Sequence, residues 1–213
     1  MNTDELIDSL SANITPVAPH AVERRLSVAV AAGAAATAML VVFGLGVRHD
    51  LASAMHGYAV WMKWAYTLSC GVIALFATYH LARPEATRSR SLWLLLIPVG
   101  LLGLVAVVEF AAAPPSHWLA MWLGDSWRRC SMRVLVLAMP ILVALIWAFR
   151  RFAPTQLRLT GAAAGFAAGG FAALLYSFRC DETGAAFVLT WYTLGMVAAA
   201  AFGALIGPRL LRW

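Results

Sequence analysis

Six apolar runs, at residues 26–46, 58–81, 92–112, 132–149, 159–178 and 185–206, constrain this chain more than any other feature. Each is close to the roughly 20 residues that a helix needs to cross a hydrocarbon core about 30 Å thick. Strands of a membrane barrel would alternate apolar and polar residues, and these runs do not. The pieces left over, chiefly 1–25 and 113–131, are too short to bury a core of their own. With 62% hydrophobic and 12% charged residues, the chain also lies far from a soluble domain, about a quarter of which is charged. These observations exclude a soluble enzyme, a disordered chain and a disulfide-rich scaffold. They predict an all-α membrane protein, a six-transmembrane-helix bundle over 26–213 with a separate N-terminal segment at 1–25.

Basic residues near span ends set the orientation. With the N-terminus inside, ten of the sixteen basic residues are cytoplasmic, among them Arg24 and Arg25 directly before the first span. Six crossings return the C-terminus to the same side, so both termini are expected in the cytoplasm of a bacterial inner membrane. The first run is too long for the apolar region of a cleavable signal peptide and comes after a 25-residue head.

That head begins with Thr3-Asp4-Glu5-Leu6-Ile7-Asp8-Ser9-Leu10, which reads as a short helix with acids in its first turn. Leu6, Ile7 and Leu10 fall on one face, edged by Asp4, Glu5 and Asp8. Such a stripe fits docking to a basic partner; a solvated tail is the other reading. Pro16 and Pro19 end any helix and lead to the membrane as an extended link.

Three cysteines punctuate the chain. Cys70 falls near the middle of the second span and reads as packing. Cys130 and Cys180 fall at helix ends on the outward side, in the third and fifth connections. In an oxidising compartment this pair could form a disulfide or bind a thiophilic metal, and two unrelated interfacial cysteines remain the bland alternative. Arg128, Arg129 and Arg179 precede them and favour the thiolate, while Asp181 and Glu182 oppose it. No cofactor is expected beyond a transient heavy-metal ion at this pair.

Lys63 and Glu109 lie a turn or two inside the outer interface on consecutive antiparallel spans, and are expected to form an ion pair; a proton or ion pathway is the alternative. Gly161, Gly165 and Gly169 repeat every fourth residue of the fifth span and make a smooth face for close helix approach. Packing inside the bundle is the expected use, with homodimerisation as the alternative. The chain holds no CxxC, HExxH, GxSxG or Walker motif, so catalytic readings find no support. Its arginines flank spans and face lipid headgroups rather than nucleic acid. A small six-span transporter or channel for ions or metals is the main competing class.

The residues Asp4-Glu5-Leu6-Ile7, Pro16, Pro19 and Arg24-Arg25-Leu26 resemble the N-terminus of NrsF-like proteins, six-span bacterial inner-membrane anti-sigma factors. The likeness continues at Trp122-Leu123-Gly124-Asp125-Ser126-Trp127 leading to Cys130, then at Pro140 and Arg150-Arg151-Phe152-Ala153-Pro154-Thr155. It runs through Cys180-Asp181-Glu182, Phe187 and Trp191-Tyr192 to Leu210-Leu211-Arg212-Trp213. One departure is Asp181, where the family often has proline. The resemblance implies a regulator that holds an extracytoplasmic-function sigma factor at the membrane, without enzymatic activity. It further implies that Cys130 and Cys180 sense metal or redox stress. The head, with Asp4, Glu5, Leu6, Ile7, Asp8 and Leu10, would bind the sigma factor together with the 83–90 and 150–158 loops.

Overall fold

The computed structural model describes residues 3–12, 21–81, 90–150 and 156–211. Pro16, Pro19, Arg83, Arg88, Arg151, Arg212 and Trp213 lie outside the described residues, as do the side chains of Asp8, Leu10 and Arg90. Every regular element is helical among the described residues, and six helical segments are long and apolar enough to cross a membrane.

The acid-led head forms α1, Thr3–Ser11, with Asp4 and Glu5 in its first turn. The first membrane-length segment is α2, Ala21–Met39, continued by a π-helical stretch Leu40–Leu45. A short α3, Leu51–Ala54, leads to α4, Tyr58–Leu81. The third segment is α5, Leu96–Ala112, entered through a 3-10 stretch Arg90–Leu95. A small α6, Trp118–Leu123, precedes α7, Trp127–Phe149. Then come α8, Leu157–Tyr176, α9, Ala185–Phe187, a π-helical turn Val188–Tyr192 and α10, Thr193–Leu210.

The segments match the six apolar runs because span length is set by local hydropathy. What hydropathy does not rank is position. α8 is the centre, with 67% of its apolar window buried, while α5 and α2 reach only 17% and 22% and stand at the periphery. α8 packs on α10, α4 and α7, and α2 packs on α7.

Small residues explain the centre. Lipid tails are as apolar as leucine, so close van der Waals packing, rather than exclusion of water, joins helices there. A methyl group at Gly161 would collide with the Gly203 carbonyl, and one at Gly165 with the Ala199 carbonyl. At Gly169 it would lie 2.8 Å from the Met196 Cα. The predicted glycine face is therefore used inside the chain, against α10, and is not open to a second copy. Gly170 serves the opposite side, where an added Cβ would come within 2.7 Å of the Gly71 Cα on α4.

The α2–α7 crossing is built around Pro140, which lies inside α7 and has no N–H for the helical ladder. Gly33 brings α2 so near that a methyl there would sit 2.6 Å from the Ile141 Cα. Beside it, the buried Thr37 hydroxyl donates to the Leu137 carbonyl at 3.0 Å.

Candidate functional site

The ends of the six segments meet around the connection from Ser177 to Ala185, and the two cysteines lie there. α7 begins earlier than the apolar run suggested, at Trp127. Cys130 is therefore not in a loop: it is in the first turns of α7 and fully buried, while Cys180 comes just after α8 and is 4% exposed. Both are free thiols. The two side chains are close enough to perturb each other's titration. Fifty residues of chain separate them, and the packing of α7 on α8 closes that distance.

Two tyrosines wall the pair. Tyr176 ends α8 and Tyr192 lies on the π-helical turn that opens the sixth span, their rings 5.9 Å apart. A π-turn adds one residue to the helical circuit and re-aims the side chains around it, a device common at functional sites. Here it turns the fully buried Tyr192 hydroxyl toward the Cys180 sulfur without a well-directed hydrogen bond. The Ser131 hydroxyl, on the next residue after Cys130, takes up the Trp191 carbonyl of the same turn at 2.7 Å.

Charged groups then hold the Cys180 connection from several directions. Lys63 on α4 is fully buried, and its ammonium donates to the carbonyls of Cys180 at 3.0 Å and Glu182 at 2.6 Å. Arg48 approaches Asp181 at 3.3 Å, and its backbone N–H donates to the Phe178 carbonyl at 3.2 Å. Arg179 donates to the Leu45 carbonyl at 3.0 Å, and the Trp64 indole to Ser177 at 2.7 Å.

The Glu182 carboxylate accepts from the backbone N–H groups of Asp125 and Ser126 at 2.9 and 3.0 Å, and from the Ser126 hydroxyl at 3.0 Å. It thereby satisfies orphan donors before α7, whose Ser126 makes no cap of its own, and sits where the helix dipole favours an anion. Gly124 makes room for it. With φ of +56° it adopts a conformation that disfavours a side chain, and a Cβ there would lie 2.5 Å from the carboxylate.

The expected Lys63–Glu109 ion pair is corrected by this geometry. Glu109 accepts instead from the Tyr58 hydroxyl and the Ala185 N–H, both at 2.7 Å. Buried carbonyls at a chain reversal need donors as strongly as an ammonium needs acceptors, so each charge serves the 180–185 backbone rather than the other. Sequence reasoning placed Glu182 and Tyr192 only as a charge beside Cys180 and as part of a family likeness, and it missed Tyr176. The one signal for Lys63 was that it is the only lysine in the chain, buried in a span with no acid one turn away.

The neighbouring Cys130 thiol pulls the Cys180 thiol below the usual thiol range, and Tyr192 and the Lys63 charge act in the same sense against burial. An ordinary thiol titrates near 8.5. Iodoacetamide labelling of Cys180 should therefore rise and level off at a lower pH than that of an ordinary thiol. A folded value below the unfolded one means that the thiolate adds stability above about pH 8.5, and that this contribution is lost as pH falls through the lowered folded value. Labelling that tracks pH as an ordinary thiol does would contradict the arrangement.

Comparison with known proteins fits this architecture. The family model described as negative regulator of sigma F, NrsF, matches residues 10–213. The chain belongs to the NrsF family. The probable anti-sigma-F factor NrsF of Azospira oryzae is 36% identical, and the anti-sigma-F factor NrsF of Caulobacter vibrioides is 38% identical. Each alignment covers the whole of both chains. No solved structure matches the chain. The NrsF resemblance met in the sequence is thus a family membership, and the family is regulatory rather than enzymatic.

Proposed function

We propose that this protein is a membrane anti-sigma factor that holds an extracytoplasmic-function sigma factor at the cytoplasmic face and releases it when the Cys130–Cys180 pair is oxidised outside. The observation that carries the sensing half is the closeness of two free thiols, one on α7 and one in a connection tied to the ends of the other spans. Oxidation would draw the two sulfurs together into an S–S bond of about 2.05 Å. That contraction pulls the Cys180 connection toward α7 and alters how Lys63 and Glu182 hold it. The signal reaches the opposite end through the packed α4, α7, α8 and α10, and release occurs only if the oxidised state binds sigma less well.

Both termini face the cytoplasm in this reading, in line with the arginine bias. The capture surface is then α1, where Leu6 and Ile7 are 40% and 57% exposed beside Asp4 and Glu5. A sigma factor, built to meet DNA and polymerase, offers the basic complement. Two adjacent sulfurs also suit a thiophilic cation, the second chemistry by which this pair could report stress. Among the described residues no group of three His, Cys, Asp or Glu is placed to hold a metal, so the pair supports a disulfide better than a four-coordinate centre.

Two experiments test the two halves. Deleting residues 2–20 should abolish co-purification of the sigma factor while leaving membrane insertion intact; persistent capture would move the binding surface to the loops. Serine at Cys130 and Cys180 together should keep repression but remove induction of a sigma-dependent reporter by oxidant. Undiminished induction would end the sensing role.

A further inference from the structure

We propose that the thiol pair is asymmetric: a small polar hydroperoxide enters a recess beside Cys180 and reacts there first, and Cys130 is the partner that closes the disulfide. The proposal rests on the redox reading above and specifies its reagent and its order.

A polar recess of about 260 Å³ is lined by Arg133, Tyr176, Arg179, Cys180, Asp181 and Glu182, together with the turn before α7. Cys180 forms part of its wall, whereas Cys130 is fully buried on α7 and does not line the recess. A reagent in the recess therefore meets Cys180 before it meets Cys130. The space is ample for hydrogen peroxide. Its walls carry guanidinium and carboxylate groups, so it favours a polar reagent over an apolar one. Arg133, whose Nη1 donates to the Tyr176 hydroxyl at 3.3 Å, provides hydrogen-bond donors for a leaving oxygen.

The chemistry balances with hydroperoxide as the oxidant. The Cys180 thiolate attacks one peroxide oxygen and the O–O bond breaks. The other oxygen leaves as hydroxide and takes a proton to become water, and Cys180 becomes a sulfenic acid. The Cys130 sulfur then attacks the Cys180 sulfur. The S–O bond breaks, its oxygen leaves as a second water with the Cys130 proton, and the S–S bond forms. Two thiols are oxidised and one peroxide is reduced.

The test uses the full chain in detergent, hydrogen peroxide as oxidant and dimedone as the trap for sulfenic acid, with adducts mapped by peptide mass spectrometry. Cys130→Ala should accumulate a dimedone adduct on Cys180. Cys180→Ala should leave Cys130 at least tenfold less labelled. Comparable labelling of Cys130, or an inert Cys180, would overturn the order. Brief peroxide pulses on the unmodified chain with dimedone present give the same discrimination if a variant misfolds, since the first adduct should fall on Cys180. Hydrogen peroxide should also close the disulfide at least tenfold faster than cumene hydroperoxide, and equal rates would remove the recess as the route. Sigma retention is scored on the same samples. If Cys180 reacts first yet the oxidised chain keeps its partner, the attack order stands and the sensor reading fails. If release occurs with Cys130 labelled first, the sensor reading stands and the order fails.

Discussion

Leucine at Gly165 is expected to separate the fifth and sixth spans and leave little folded protein. A single methyl there already collides with the Ala199 carbonyl, and the nearest Ala200 Cα is 2.9 Å away. The obstacle is backbone on both helices, so no rotamer change relieves it. Overpacking in a tight core typically costs about 1–3 kcal/mol, and a four-carbon side chain against main chain belongs at or above the upper end. Gly161→Leu should behave alike, because Gly203 and Gly207 face it. Gly100→Leu is the control: it has open space around it and should change stability by no more than ~0.5 kcal/mol. Detergent-titrated unfolding, with yield of monodisperse protein as a second readout, measures all three. A Gly165 variant as stable as the Gly100 variant would mean that α8 and α10 do not approach as described.

Lys63→Met should produce the second large loss. The substitution keeps length and apolar bulk but strips donors from the buried carbonyl of Cys180 and the half-buried carbonyl of Glu182. Each orphaned buried acceptor costs roughly 1–3 kcal/mol, which places the expected loss at about 2–5 kcal/mol in thermal or denaturant unfolding. The Cys180 connection should loosen first, so maleimide labelling of Cys180 should accelerate several-fold before global unfolding is seen. Adding Glu109→Gln distinguishes this from an ion pair. Two partners of one salt bridge rescue each other when both are neutralised. Here Glu109 serves Ala185 and Tyr58, so the double variant should be no more stable than Lys63→Met alone. Recovery of stability in the double variant would restore the ion pair.

These two cases show where sequence reasoning reached and where it stopped. The glycine periodicity in α8 is local: residues four apart share a helix face whatever surrounds the helix, so Gly161, Gly165 and Gly169 were legible as a packing face. Lys63 and Glu109 were legible as charges within spans for the same reason. Their partners were not, because antiparallel order says that α4 and α5 share an end but not their rotation or tilt. α5 stands at the periphery and its Glu109 meets the start of the sixth span instead. The π-helical turn at Val188–Tyr192 is a further case: apolar periodicity runs through it unbroken, and only packing shows that one added residue turns Tyr192 inward.

The sequence by itself determined six apolar helices, the acid-led head, and two cysteines brought to the same end of the bundle. All of these depend on short-range patterns, on length against bilayer thickness and on counting crossings. Tertiary structure alone decided that the two thiols come close together, that Cys180 is the one lining a polar recess, and that Lys63 and Glu182 hold its loop. Those facts depend on side-chain placement to within an ångström or two between segments 50 to 120 residues apart. Hydropathy sets how many helices there are, whereas backbone contact at glycines and the demand of buried carbonyls for donors set how they meet.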